Sequence, residues 1–409
     1  MRRNKMLTGF SATILTCILS ALLIMVVIFQ PYFTMNQGFE DSGQTVPSNT
    51  PTPDPSNPET TSIPDSETSE PEPTVTDTPP VNYDLVYELP INGAAGFALL
   101  SIGLKETHDE NSRTLATINP GEAFRIISSQ DNWWNVEHNG VTGWVDNTLC
   151  MINLPDIIPS IIYANKNSST SAFRSSGYHL PNITNRQLYN AVTHNNRFEK
   201  EQYIVPILYR TAKKVYNAQQ AALRNGDSLR IYETFRPLEV QRNISNSLQT
   251  LMSTNSTVHN GINTNGWRKG WFIAQSVSTH QMGVAIDVSL VRVTDYERRT
   301  TGGHSYKVIT SYEEHTMPTR IHELSARAVV LTRGANWNRE TGWGDIPFAD
   351  TMTEGAKRLH NLFVNAGFVP LASEWWHFDD LEARDTIRGR GITGNFNLKN
   401  NSVSEEPNT

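Results

Sequence analysis

Apolar and polar positions are spread so unevenly along the chain that they divide it before any motif is read. Residues Met6 to Phe29 form an almost unbroken apolar run without a charge. At roughly 20 residues or slightly more, such a run is long enough to cross a bilayer as a helix. Arg2, Arg3 and Lys5 precede it, which predicts a cytoplasmic N-terminus with the rest of the chain outside. The run ends in the bulky stretch Ile24 to Phe29 rather than in the small residues of a cleavage site, so a retained single-pass anchor over 1–35 is the expectation, against a cleaved signal peptide. From Asn36 to Tyr83 the chain is Pro, Ser, Thr, Asp and Glu with hardly an apolar side chain. It cannot bury enough surface to offset chain entropy, and its prolines and like charges predict an extended, disordered spacer over 36–83.

The pattern then changes to short alternating segments. Phe124-Arg125-Ile126-Ile127, Trp134-Asn135-Val136-Glu137 and Gly143-Trp144-Val145 read as strands, separated by the turn formers Pro120-Gly121 and His138-Asn139-Gly140. About five short strands in roughly seventy residues predict a small β-barrel over 84–155. From 156 to 395 the periods mix into an α+β pattern. Leu208, Ala212, Val215, Ala218 and Ala222 recur at helical spacing with Gly226 as a stop, and Ser228 to Phe235 alternates as a strand that ends in Arg236-Pro237. Ala356, Leu359, Phe363 and Ala366 mark a second helix, stopped by Gly367. The tail, 396–409, is polar and expected to fray.

At 409 residues the chain exceeds what one core usually organises, in keeping with two or three domains. Its net charge of -7 sits mostly in the spacer, which has no Lys or Arg. The remainder is near neutral and lacks the basic face that nucleic-acid binding requires, so no nucleic-acid partner is expected. Two cysteines, Cys17 in the apolar run and Cys150 far from it, cannot build a disulfide framework or a cysteine zinc cluster. Any metal must therefore be held by His and carboxylates.

Two clusters carry that chemistry. The first runs Ser278-Thr279-His280-Gln281-Met282-Gly283-Val284-Ala285-Ile286-Asp287, and the second is Glu374-Trp375-Trp376-His377-Phe378. A catalytic zinc site takes His nitrogens and a carboxylate and leaves one position open for water. His280, Asp287 and His377 supply such a set. Gly283 eases a turn that brings His280 back beside Asp287 at a strand entry, and the odd spacing of Glu374 and His377 calls for irregular local backbone if both face one ion. Glu374 is the candidate base for a water whose pKa a metal has lowered, and Arg236 the candidate cation for charge developing on a peptide carbonyl. On spacing alone, a core histidine with satisfied hydrogen bonds fits His280 and His377 equally well. Glu313-Glu314-His315 and His322-Glu323 lie in polar surroundings and read as solvated surface.

Resemblance shifts that balance. Pro120-Gly121, Trp133-Trp134-Asn135-Val136, Asn139-Gly140 and Gly143-Trp144-Val145 resemble a bacterial SH3 domain, a module often attached to cell-wall enzymes, where it binds wall polymer. Ser278-x-His280-x-x-Gly283-x-Ala285-x-Asp287 followed by Glu374-x-x-His377, with Tyr232-Glu233-Thr234-Phe235-Arg236-Pro237 upstream, resembles the zinc D-Ala-D-Ala dipeptidases and D,D-carboxypeptidases over about 156–395. The resemblance implies one Zn2+ per chain at His280, Asp287 and His377, acid/base catalysis by Glu374, transition-state stabilisation by Arg236, and Ser278 near the substrate's terminal carboxylate.

Two departures stand out. The gap from Asp287 to Glu374 is long, and Arg292 to Glu314 reads as a loop inserted at the cleft rim. Glu374-Trp375-Trp376-His377 is nearer the dipeptidase branch, whose members act on free cytoplasmic dipeptide, whereas the anchor places this domain outside. The expectation is hydrolysis of D-Ala-D-Ala-type bonds in peptidoglycan stem peptides, at the membrane, with wall polymer as partner. The alternatives are an endopeptidase of the same fold and a degenerate wall-binding sensor.

Overall fold

The computed structural model describes residues 86–336, 339, 341–399 and 403–407. The apolar run and the acidic spacer lie outside the described residues. No helix among the described residues is long and apolar enough to cross a membrane.

The first part is β. Strands β1 (Ala95–Ala98), β2 (Ile102–Lys105), β3 (Thr114–Ile118), β4 (Ala123–Gln130), β5 (Trp133–His138), β6 (Val141–Asp146) and β7 (Cys150–Asn153) pair antiparallel. Alternation decides which side chains point inward: Phe124 and Ile126 on β4, Trp134 and Val136 on β5, and Val145 on β6 are buried. Trp134 thus fills the core, meeting the ring of Phe124 at 6.3 Å, while its neighbour Trp133 faces outward and is half-buried. The sheet has eight strands in the order β9-β7-β1-β4-β5-β6-β2-β3, because β9 (Pro206–Leu208), from well beyond the predicted barrel, adds to the edge of β7.

The second part is a mixed sheet with helices. Its order is β13-β14-β11-β10-β8, formed by β8 (Ile162–Tyr163), β10 (Asp227–Glu233), β11 (Ala285–Thr301), β13 (Val369–Pro370) and β14 (His377–Asp379), with β12 (His304–Glu314) paired to β11. Helix α1 (Tyr209–Arg224) buries Ala212, Val215, Ala218 and Ala222, and α3 (Glu354–Asn365) buries Ala356, Leu359 and Phe363, the apolar stripes that their spacing predicts. Helix α2 (Leu238–Thr254) follows Pro237 directly and buries Val240, Ile244, Leu248 and Met252. The last helix among the described residues is α4 (Leu381–Ile387).

Two expectations are corrected. Residues 292–314 are not a loop at the cleft rim but nearly the whole of the β11–β12 hairpin, which pairs Val291–Thr301 with His304–Glu314. Its tip packs elsewhere, where Thr301 Oγ1 donates to the Arg197 carbonyl at 2.9 Å. The tail is not frayed over its described residues: Ser404 is fully buried and its hydroxyl donates to Asp156 Oδ2 at 2.7 Å. Asp156 explains why the tail docks. Its buried carboxylate also accepts from the Ala95 amide at 2.9 Å and the Asn195 amide at 2.7 Å, and a buried carboxylate requires such partners. This one side chain ties β1, the 195 turn and the tail together.

Candidate metal centre

Asp287 is the third residue of β11 and His377 the first of β14, and the antiparallel register sets them directly opposite each other. Residues so paired project to the same face of a sheet. On the other side of β11, Glu233 at the end of β10 also pairs with Asp287, just after a register shift. His280 arrives from a tight turn before β11. The Gly283 amide donates to the His280 carbonyl at 3.1 Å, and Gly283 has φ +66, a conformation open to glycine without strain. A Cβ there would stand 2.9 Å from Met151 Sδ. Glu374 lies in a turn, its amide bonded to the Leu371 carbonyl and its carbonyl accepting the His377 amide, so the backbone between Glu374 and His377 is irregular.

The ring nitrogens define a donor set. His280 Nδ1 donates to the Thr234 carbonyl at 2.6 Å, which leaves Nε2 with a lone pair. His377 Nε2 donates to Asp379 Oδ1 at 2.9 Å, which leaves Nδ1 with a lone pair. Those two nitrogens are 3.2 Å apart, and Asp287 Oδ1 lies 3.0 Å from His377 Nδ1 and 3.4 Å from His280 Nε2. Three electron-pair donors facing one another at these distances repel unless a cation or a proton sits among them. Tetrahedral zinc with bonds of about 2.0–2.2 Å needs ligand atoms roughly 3.3 Å apart, so the triangle fits it. The second tie of each ring, to a carbonyl and to a carboxylate, is what metal-bound histidines require for orientation.

The charges agree with this reading. Burial pulls the His377 pKa down, but Asp379 and Asp287 outweigh burial and hold it well above the ordinary value. A proton on His377 thus does the work of a cation when none is bound. Burial also lowers His280, with the Arg236 charge acting in the same sense. Burial raises the Asp287 pKa, but His280 and the other donors around it overcome that and keep its carboxyl well below the usual range.

Glu374 differs from the other carboxylates. Burial is the main cause that pushes it from an ordinary 4.5 up to about 8, and its carboxylate takes no hydrogen bond from the described residues. It lines a cleft of about 410 Å³ together with the three donors, Arg236, Ser278 and the apolar side chains of Trp271, Phe272 and Trp376. Arg236 is buried and largely engaged: Nε donates to Glu233 Oε2 at 2.6 Å, one terminal nitrogen to Asp287 Oδ2 at 2.8 Å and the other to Gln241 Oε1 at 2.7 Å. Ser278 sits at the cleft with its hydroxyl donated to Gln281 Oε1 at 2.8 Å.

Three contributors escaped the sequence reading. Glu233, fully buried, holds Arg236 and is itself held by Asn167 and Tyr189 at 2.6 and 2.8 Å. Asp379 orients His377 and lies immediately after the second cluster, two residues beyond His377. His322 is the clearest correction: it is fully buried, not solvated, with Nε2 3.2 Å from Asp287 Oδ2. Its neighbour Glu323 is buried as well, and His315 pairs with Asp227 at 2.9 Å. Only their polar neighbours in sequence suggested a surface.

Comparison with known proteins bears most directly on the β part. The family model described as "Bacterial SH3 domain" matches residues 102–149, which span β2 to β6 and the turn after it. Over that segment the chain is similar to bacterial SH3 domains. No curated protein matches the chain. Among the solved structures similar to it are two, each at 13% identity over 57% of this chain with a TM-score of 0.24. One is VanYB in complex with D-alanine-D-alanine, of which 94% is covered. The other is a Zn(II) complex of a variant of the vancomycin-resistance D,D-pentapeptidase VanY, of which 96% is covered.

Proposed function

We propose that the chain is a zinc-dependent peptidase that hydrolyses D-Ala-D-Ala-type bonds in peptidoglycan stem peptides. The observation that carries this reading is the convergence of His280 Nε2, His377 Nδ1 and Asp287 Oδ1, with the remaining nitrogen of each ring tied to a fixed acceptor. Zinc held by these three residues supplies Lewis acidity and lowers the pKa of water toward about 7.

The chain's own residues provide the rest. Glu374, in the same cleft and without a hydrogen bond from the described residues, takes the proton from the attacking water and returns it to the leaving amine. Arg236 lines the cleft, and its terminal nitrogen that donates to Gln241 keeps a second N–H; that donor stabilises the developing oxyanion. Glu233, Asp287 and Gln241 hold the guanidinium still, so little reorganisation is needed during the reaction. Ser278 lies where a terminal carboxylate would enter, and binding there requires its hydroxyl to turn from Gln281. The apolar walls formed by Trp271, Phe272 and Trp376 suit small D-alanyl methyl groups and exclude water.

The D-alanyl substrate class rests on the three ordered motifs, and the wall location on the SH3 domain together with the N-terminal apolar run read as an anchor. Digestion of defined muropeptides, followed by mass spectrometry with and without a chelator, tests the proposal. Loss of terminal D-alanine or D-alanyl-D-alanine, abolished by chelator and restored by zinc, is expected. Cleavage inside the stem or cross-bridge would instead make the enzyme an endopeptidase, and no cleavage by zinc-loaded protein would sink the assignment.

A further inference from the structure

Asp287 presents its two carboxylate oxygens to different neighbours. Oδ1 faces the His280–His377 pair, whereas Oδ2 accepts from Arg236 at 2.8 Å and lies 3.2 Å from His322 Nε2. His322 reaches this position from a segment that no motif marks. Its ring lies flat on Phe173, with centroids 4.3 Å apart and planes 7° apart, and the edges of Tyr232 and Trp376 close round it. The backbone holds it there. The Arg174 amide donates to the His322 carbonyl at 3.1 Å, the Leu324 amide donates to the Arg174 carbonyl at 2.8 Å, and Glu323 accepts from the Gly177 amide at 3.2 Å.

This arrangement is costly by three measures at one residue. His322 has φ +60, which side chains other than glycine's rarely adopt. Its Nδ1 is buried without a hydrogen-bond partner among the described residues. It is an imidazole with no exposure at all, in a place where an apolar ring would stack on Phe173 as well. Costs of this kind persist where the surrounding structure over-determines them, and they gather at functional sites. The alternative use of His322, as a ligand with Glu233 and Asp287 for a second cation, is closed by Arg236. Its guanidinium already bridges Glu233 Oε2 and Asp287 Oδ2 and brings the positive charge such an ion would supply.

We propose that His322 is a positioning residue: its Nε2–H holds Asp287 Oδ2, with Arg236, so that Oδ1 is turned into the metal triangle. The inference rests on the zinc reading above and adds to it a residue that touches neither metal nor substrate. Partners of this kind, one step removed from the metal, typically change metal affinity or activity about 10–100-fold when removed.

The test uses the full chain as wild type, His322→Phe, His322→Gln and His322→Met, with zinc affinity measured by competition against a chromogenic chelator. Phe keeps the stack on Phe173 and removes the donor. Gln and Met match each other in length and differ in the N–H, so that pair decides the matter even if the Phe variant does not fold. Zinc affinity should fall about 10–100-fold in the Phe and Met variants and return to within a few-fold of wild type in the Gln variant, with the unfolding midpoint of the metal-free Met and Gln variants alike. Wild-type affinity in the Met or Phe variant would overturn the inference, and so would equal loss in Gln and Met, which would leave only packing. Failure of the wild type itself to bind zinc would sink the metal reading, which is a separate outcome.

Discussion

Asp287 and His377 are ninety residues apart in sequence yet directly opposed across two antiparallel strands, with His377 Nδ1 3.0 Å from Asp287 Oδ1. The pairing register, not a local motif, makes these two side chains neighbours. A slip of one residue would turn one of them to the other face of the sheet. Everything else in the centre is arranged about that pair: His280 from the preceding turn, Arg236 and His322 on the far carboxylate oxygen, and Asp379 behind the imidazole.

Glu374 is separable from the metal. Replacing it with Gln removes the base while leaving His280, Asp287 and His377 in place. Zinc content should remain that of the wild type, while kcat on a muropeptide falls by at least about 100-fold, the lower end for loss of a general acid/base. Retained turnover would remove Glu374 from the mechanism.

The same residue sets a pH dependence of stability in the metal-free protein. Burial raises its folded pKa from 4.5 to about 8, so the folded state binds that proton more tightly than the unfolded chain does. Stability from this source is fully present below the unfolded value and is lost as pH rises through about 8. Glu374→Gln stays neutral throughout. Its unfolding free energy, measured without metal, should match wild type near pH 4.5 and exceed it increasingly up to pH 8, by an amount on the order of a few kcal/mol. Parallel pH profiles would contradict the buried, unpartnered carboxylate.

Asp379→Ala tests the hold on the His377 ring. Without the acceptor for Nε2–H, His377 can rotate or take the other tautomer, and zinc affinity should drop about 10–100-fold while secondary structure by circular dichroism is unchanged. Equal affinity would show that the ring keeps its orientation without Asp379.

Gly283→Ala tests the turn that delivers His280. The added methyl meets a positive φ and a sulfur 2.9 Å away, so a loss of roughly 1–3 kcal/mol in unfolding free energy is expected, with weakened zinc binding. A fully stable, zinc-binding variant would mean that the turn relaxes without moving His280.

Local signals made the frame of this molecule legible in its sequence. The alternation in 123–146 and the stripes of α1 and α3 are short-range patterns, and the glycines at 226 and 367 mark where the two helices stop. Helix α2 had the same kind of signal, Val240, Ile244, Leu248 and Met252 at four-residue steps, beside polar neighbours that masked it. The named donors were legible as types, but spacing could not separate them from core histidines; only the register of β11 with β14 did so. His322 was illegible for a physical reason. Arg320, Glu323 and Thr319 around it make the segment look solvated, and its burial comes from backbone hydrogen bonds to residue 174, nearly 150 positions earlier. Ser404 is a similar case, since its partner Asp156 lies at the other end of the domain.

The central claim is that His280, Asp287 and His377 form one metal centre. Zinc content per chain, measured by elemental analysis on purified full-length wild type and on His280→Ala after equilibration with zinc and desalting, tests it most directly. One zinc per wild-type chain and well under one in His280→Ala is the expected result. A wild-type protein without zinc, or a variant that holds as much as wild type, would contradict it.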